Sequence, residues 1–309
     1  MDNSELIRKI KDLQAAKNAV IMAHYYQEPA IQDIAGFVGD SLALAQKAVE
    51  TEADIIVLAG VSFMAETAKI LNPSKKVLLP DPEAGCSLAD SCPADKFEAF
   101  VKAHPGHSVV TYVNTTAAVK ALSDIACTSS NAVQIVASLP NDEKIIFGPD
   151  RNLGNYIKSL TGRDMLIWDG ACHVHEEFSP EKIIELKQTH PEAKVLAHPE
   201  CQKPVLILAD HIGSTAELLR YSITDTANEY IVVTESGILH RMQQESPQKR
   251  FIPAPPKDSA CVCNDCRYMK MVTLQKIYDC LRNESNEIIL DEELRLRAEK
   301  PIRRMLDFK

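Results

Sequence analysis

Short runs of apolar and β-branched residues recur along the chain, separated by longer stretches whose apolar positions fall every three or four residues. The runs at 19–23, 55–59, 77–79, 109–113, 145–147, 165–167, 195–197, 231–234 and 251–252 have the length and composition of buried strands. Residues 41–51 and 214–221 read as amphipathic helices. Strands alternating with helices predict parallel sheets, because a parallel neighbour is reached by a crossover over the face of the sheet. Helical patterns also open the chain (1–18) and close it (267–281 and 291–306).

The runs fall into three sets of three. The first run of each set leads into a related tetrapeptide: AHYY at 23–26, TYVN at 111–114 and AHPE at 197–200. His24, Tyr112 and His198 then correspond, at separations of 88 and 86 residues. Two residues further on stand Tyr26, Asn114 and Glu200. Seventeen residues on from each stand Ser41, Ser129 and Thr215, a hydroxyl each time at the opening of a helix. The third run of each set leads towards cysteine: Cys86, then Cys172, then a choice of Cys261, Cys263 or Cys266. The expected fold is α/β, with three similar αβα (βαβαβ) units of parallel sheet in pseudo-threefold arrangement around a central site. The units are expected over 1–87, 88–174 and 175–260, and 261–309 adds the last cysteine and a helical tail.

In parallel α/β units, ligands bind outside the carboxyl ends of the strands. The recurring positions all lie there, so three units facing one axis would bring them to one cavity. The hydroxyls read either as helix N-caps, each stabilising its helix by about 1 kcal/mol, or as parts of anion sites at helix N-termini. Glu200, two residues after His198, is expected on the same face as that ring, and a buried glutamate with a raised pKa serves as acid or base. The CVCNDC segment resembles half a zinc site, which His173 or His175 near Cys172 would complete. One cysteine per unit instead suits an iron–sulfur cube with one iron left open. Both readings stand at this point. Cys92, Cys127, Cys201 and Cys280 read as buried apolar thiols.

Composition narrows the field. The 309 residues carry 34 basic and 43 acidic side chains, a net charge of −9, which argues against a nucleic-acid partner. No apolar run is long enough for a bilayer, so no membrane partner is expected. The charged, helical first residues have no apolar h-region, so the protein is expected in the cytoplasm, and in that reducing compartment nine cysteines, an odd number, argue against a disulfide framework.

The same segments resemble the quinolinate synthase family over essentially the whole chain. The carrying motifs are AHYYQEPAIQDIAGFVGDSL (23–42), DPEAGCSLAD (81–90), TYVNTTAAVKA (111–121), CTSSNA (127–132), FGPDRNLGNY (147–156), WDGACHVHE (168–176), AHPEC (197–201), GSTAE (213–217) and CRYMKM (266–271). The resemblance implies three αβα domains and a 4Fe-4S cluster on Cys86, Cys172 and Cys266. It implies condensation of iminoaspartate with dihydroxyacetone phosphate to quinolinate, phosphate and water in NAD biosynthesis. An L-aspartate oxidase or dehydrogenase is then the expected supplier of iminoaspartate. Implied roles are acid/base chemistry for Glu200, and substrate binding and proton movement for His24 and His198. Tyr26 and Tyr112 would assist isomerisation and gate the cavity. Ser41, Ser129, Ser214 and Thr215 would hold carboxylate or phosphate oxygens, and Asn114 and His175 would complete the pocket. One departure stands out: some members carry C-x-x-C-x-x-C at the third ligand, where this chain has Cys261-x-Cys263-x-x-Cys266.

Overall fold

The computed structural model describes residues 2–257 and 264–308. Cys261 and Cys263 lie outside the described residues. Three four-stranded sheets are present, each parallel throughout. β1 (Ala19–His24), β2 (Phe37–Gly39), β3 (Ile55–Ala59) and β4 (Lys76–Leu78) form the first, in the order β2-β1-β3-β4. β5 (His107–Tyr112), β6 (Ile125–Cys127), β7 (Lys144–Gly148) and β8 (Met165–Ile167) form the second, in the order β6-β5-β7-β8. β9 (Lys194–Ala197), β10 (His211–Ile212), β11 (Glu229–Val233) and β12 (Arg250–Pro253) repeat the arrangement as β10-β9-β11-β12.

The three similar αβα units expected from the repeat are therefore present, each with one strand more than the hydrophobic pattern shows. The additional strands β2, β6 and β10 have only two or three residues, too few to display a period, and each lies at a sheet edge. They matter for the site. The chain leaves the first strand of each unit for an edge strand on one side, then crosses to the third strand on the other. That reversal opens a crevice at the carboxyl ends of β1 and β3, β5 and β7, and β9 and β11.

β3 shows why these runs form strands. Its sequence IIVLA is buried at every position. Ile56 and Leu58 pack with Leu44, Ala48 and Ala68 on one face. Ile55, Val57 and Ala59 pack with Leu6, Ile10, Ile277 and Leu281 on the other. A strand covered on both faces needs apolar side chains at both parities, each large one stabilising the fold by roughly 1.5–3 kcal/mol.

The carboxy-terminal helices tie units together. Helix Leu274–Asn283 packs on the first helix, Asn3–Ala16. Helix Glu292–Leu306 packs on β6 and helix Ala117–Lys120 of the second unit and on helix Ser62–Leu71 of the first. Its Arg295 is buried and donates to the carbonyl of Ile70 at 3.1 Å and to Glu299 at 2.6 Å. The first and third units meet at Gly237, where an added Cβ would stand 2.7 Å from Cα of Tyr26. Only glycine allows that approach. Among the described residues no helix is long and apolar enough to cross a membrane.

Candidate active site

A cavity is lined by strand ends of all three units. Every site residue expected from the sequence lines it except Ser214. The first and third units present their histidines in the same way. Each ends its first strand in a turn, closed by Gln27 N–H on the carbonyl of His24 and by Cys201 N–H on that of His198, both at 3.0 Å. Within these turns Nδ1 of His24 accepts from Tyr26 N–H at 3.2 Å, and Nδ1 of His198 accepts from Glu200 N–H at 3.3 Å. With Nδ1 an acceptor, the proton of each neutral ring is assigned to Nε2. His198 and Glu200 thus meet through a turn, not along one face of an extended strand as the spacing suggested.

Glu200 is the centre of a buried network. Tyr112 donates its hydroxyl to Oε1 at 2.6 Å. Nδ1 of His175 stands 3.0 Å from Oε2, close but without hydrogen-bond alignment, and Nδ1 of His198 stands 3.7 Å from Oε1. The His175 and His198 rings stack with centroids 4.7 Å apart. Nε2 of His175 lies 3.0 Å from Oγ1 of Thr234, which lies 2.7 Å from the Tyr26 hydroxyl. That hydroxyl lies 2.8 Å from Oγ1 of Thr215. One polar chain therefore runs from Glu200 across to the helix opening at Thr215.

Burial, the largest influence on Glu200, disfavours its ionised form. His175, His198 and the Tyr112 hydroxyl outweigh it and hold the carboxyl below its usual range. This departs from the expectation of a raised pKa: burial is complete, but the two histidine rings and the Tyr112 hydrogen bond prevail. Burial pushes His24 and His198 down to about 3, so both rings are neutral donors near pH 7. Nearby Asp150 is pushed up to about 8 by burial and by the charge of Glu200.

The recurring hydroxyls require a second correction. Ser41 and Thr215 are the first residues of their helices, and the caps are their predecessors. Asp40 accepts from Ala43 N–H at 2.9 Å, and Ser214 accepts from Glu217 N–H at 3.3 Å in a capping box. Ser214 is thereby occupied away from the cavity wall. Ser129 does not open a helix: it sits in the turn before helix Ala132–Ser138, with Oγ 3.2 Å from Nε2 of His198. Because caps take the capping work, Ser41, Ser129 and Thr215 are left facing the cavity. Among the described residues no lysine or arginine lines it. Oδ1 of Asn114, also on the wall, is shielded from solvent and has no hydrogen-bond partner.

Cys86, Cys172 and Cys266 line the same cavity, one after each of β4, β8 and β12. Each begins a turn in which its carbonyl accepts from the residue four further on: Asp90 at 2.9 Å, Glu176 at 3.0 Å and Lys270 at 3.1 Å. Cys266 thus shares the local geometry of the other two. Burial raises all three thiols, Cys86 to about 12, and backbone N–H groups of the following turn act in the opposite sense. Among the described residues, Cys92, Cys127, Cys201 and Cys280 are buried elsewhere. Three soft sulfur donors from three units, each protonated when alone, suit a metal centre whose charge displaces the protons. Cys172, His175 and Glu200 also offer ligand atoms within 4.8 Å of one another.

Comparison with known proteins bears on this geometry. The family model described as quinolinate synthetase A protein matches residues 8–307. The chain belongs to the quinolinate synthetase A protein family. It is 59% identical over 303 residues to a quinolinate synthase of Thermosynechococcus vestitus, covering 98% of this chain and 95% of the relative. It is 58% identical to one from Synechococcus sp. and 57% identical to one from Nostoc sp., over 98% of this chain and 95% and 93% of those relatives. Members of this family with those names are enzymes, and so is this chain.

Sequence reasoning passed over several family-site neighbours. Glu235 lines the cavity, and Asp150 stands behind Cys172. Asp150 follows β7 and Glu235 follows β11 by two residues, the offset at which Tyr26 and Asn114 follow β1 and β5. The signal was present after the third strand of the second and third units.

Proposed function

We propose that the cavity condenses iminoaspartate with dihydroxyacetone phosphate, yielding quinolinate, phosphate and two waters, with a 4Fe-4S cluster on Cys86, Cys172 and Cys266. One observation carries the reading: each unit delivers one cysteine, in the same kind of turn, to the cavity that holds Glu200. Bound there with one iron free of protein ligands, the cluster would supply a Lewis acid towards substrate oxygen.

The chain's own residues account for the remaining needs. Ring closure with loss of two waters moves protons from carbon and nitrogen, and ionised Glu200 is the acceptor, its Oε1 held by the Tyr112 hydroxyl. Neutral His24 and His198 donate from Nε2 to substrate carboxylate. Ser41, Ser129 and Thr215 bind carboxylate or phosphate oxygens, helped at Ser41 and Thr215 by the N-termini of ten-residue helices. The unpartnered Oδ1 of Asn114 takes an N–H or O–H of the substrate, which removes the penalty of leaving it unpaired. Tyr26 closes the polar chain beside Thr215 and moves protons during isomerisation. Buried thiols of this kind work in a reducing compartment, so we place the reaction in the cytoplasm. An enzyme that oxidises L-aspartate, an oxidase or a dehydrogenase, is the fitting source of iminoaspartate.

A second reading follows from the proximity of Cys172, His175 and Glu200: a single zinc ion on these three ligands, with a fourth position open. Anaerobic purification with iron, sulfide and zinc analysis, followed by a quinolinate assay, decides between them. The expected result is brown protein with about four irons per chain and product formation. Colourless protein with one zinc supports the second reading and overturns the first.

A further inference from the structure

Two of the three cysteine turns are tethered by a buried carboxyl side chain. Asp150 stands two residues beyond β7 and Glu235 two residues beyond β11, and both are 0% exposed. Oδ2 of Asp150 accepts from Cys172 N–H at 3.0 Å, while Oδ1 accepts from Asn152 and Leu153 N–H at 2.7 and 2.9 Å. Oε1 of Glu235 accepts from Cys266 N–H at 3.2 Å, while Oε2 accepts from Gly237 N–H at 2.7 Å. The Lys270 ammonium lies 3.0 Å from Oε1 of Glu235 and donates to the Tyr26 carbonyl at 2.9 Å. In the first unit the corresponding position, two residues beyond β3, is Val61, whose side chain accepts nothing.

A helix cap alone explains only one oxygen of Asp150. Serine or asparagine would cap as well without burying a carboxylate. The second oxygen, in both units, goes to the backbone of the cysteine, although the two carboxylates differ in length and come from different sequence contexts. What they share is the register after the strand and the amide they accept.

We propose that Asp150 and Glu235 are positioning residues for the thiol centre. Each fixes the turn of its own cysteine through the backbone N–H, so that the sulfur faces the cavity. Cys86, after the unit that has Val61, is set by its own turn alone. This rests on the reading that the three cysteines hold one cluster.

The isosteric variants Asp150→Asn and Glu235→Gln test it. Each keeps one acceptor oxygen where two are used, so one N–H partner loses its acceptor. Wild type and variants are reconstituted anaerobically and the rate of iron release to a chelator is measured. Release is expected to be at least about 10-fold faster in both variants, the equivalent of about 1.4 kcal/mol. Glu235→Gln is further expected to shift the midpoint potential to more positive values, because it leaves the Lys270 ammonium facing the more distant Glu28 carboxylate, at 3.7 Å. Asp291→Ala, which removes a helix cap in the carboxy-terminal helix, is the control for lost stability and should release iron as wild type does. Wild-type release rates in either variant overturn the proposal while the cluster reading stands. A wild type that takes up no iron overturns both. Should the variants fail to fold, amide exchange on the wild type replaces them: the Cys172 and Cys266 amides should exchange as slowly as core strand amides, and fast exchange at either overturns the tether.

Discussion

The thiol face and the proton-transfer face of the cavity use the same threefold scaffold in opposite ways. After the last strand of each unit the chain repeats one residue type in one kind of turn, giving Cys86, Cys172 and Cys266 equivalent settings. At the end of the first strand it places a different pair in each unit: His24 with Tyr26, Tyr112 with Asn114, and His198 with Glu200. Repetition builds a set of like ligands for a centre that needs several at once. Divergence at equivalent positions builds a set of unlike reagents for a substrate with no symmetry. The electrostatics follow the same division: burial raises all three thiols alike and lowers His24 and His198, whereas the groups around Glu200 hold its carboxyl low against burial.

The comparison yields predictions that begin with the largest effect. Cys172→Ala removes one of three like ligands, and we predict loss of bound iron and of turnover with the fold kept. Iron analysis with circular dichroism checks this, and near-normal iron would break the equivalence of the three thiols. Glu200→Gln removes a reagent but no cysteine. Iron should stay near the wild-type level while kcat falls by about 10²–10⁴-fold, measured as quinolinate formed under anaerobic conditions. Loss of iron in this variant would instead place Glu200 on the metal.

Tyr112→Phe is a milder probe. It removes the hydrogen bond to a buried ionised carboxylate, worth about 1.5–3 kcal/mol, so kcat should fall by roughly 10- to 100-fold with iron unchanged. A wild-type kcat would take Tyr112 out of the proton path. The smallest effect is expected from Ser214→Ala. The capping box in the structure predicts loss of about 1 kcal/mol, a fall of about 2 °C in Tm, with KM for dihydroxyacetone phosphate unchanged. A several-fold rise in KM at constant Tm would restore the substrate-binding role that the sequence suggested for this hydroxyl.

Much of this was legible before the fold was seen. The expected strands fall within a few residues of those observed, and the spacing of His24, Tyr112 and His198 located the strand ends that line the cavity. The misses share one cause. β2, β6 and β10 are too short to show a period, and they pair only because a neighbouring strand presents a free edge. Ser214 is itself a cap whereas Ser41 follows one, Asp40, a distinction of one residue that the spacing cannot resolve, since which hydroxyl turns inward depends on where the helix begins. Asp150 and Glu235 were passed over because a carboxylate near a turn is common, and only its burial and its partner make it distinctive.

The sequence alone carried the three-unit plan, the apolar strands, Cys86 and Cys172 with a choice of three cysteines for the last unit, and most of the positions around the cavity. These depend on local periodicity and on its recurrence, which a single chain displays. The tertiary structure decided the rest: the ionised state of Glu200, the shared geometry of Cys266, the bridging by the last helix, and the choice of hydroxyls left for substrate. Each depends on groups distant along the chain, such as Tyr112 and Glu200, 88 residues apart yet hydrogen-bonded at 2.6 Å. Charge and hydrogen bonding act through space, so their outcome is settled only when the three units close around one cavity.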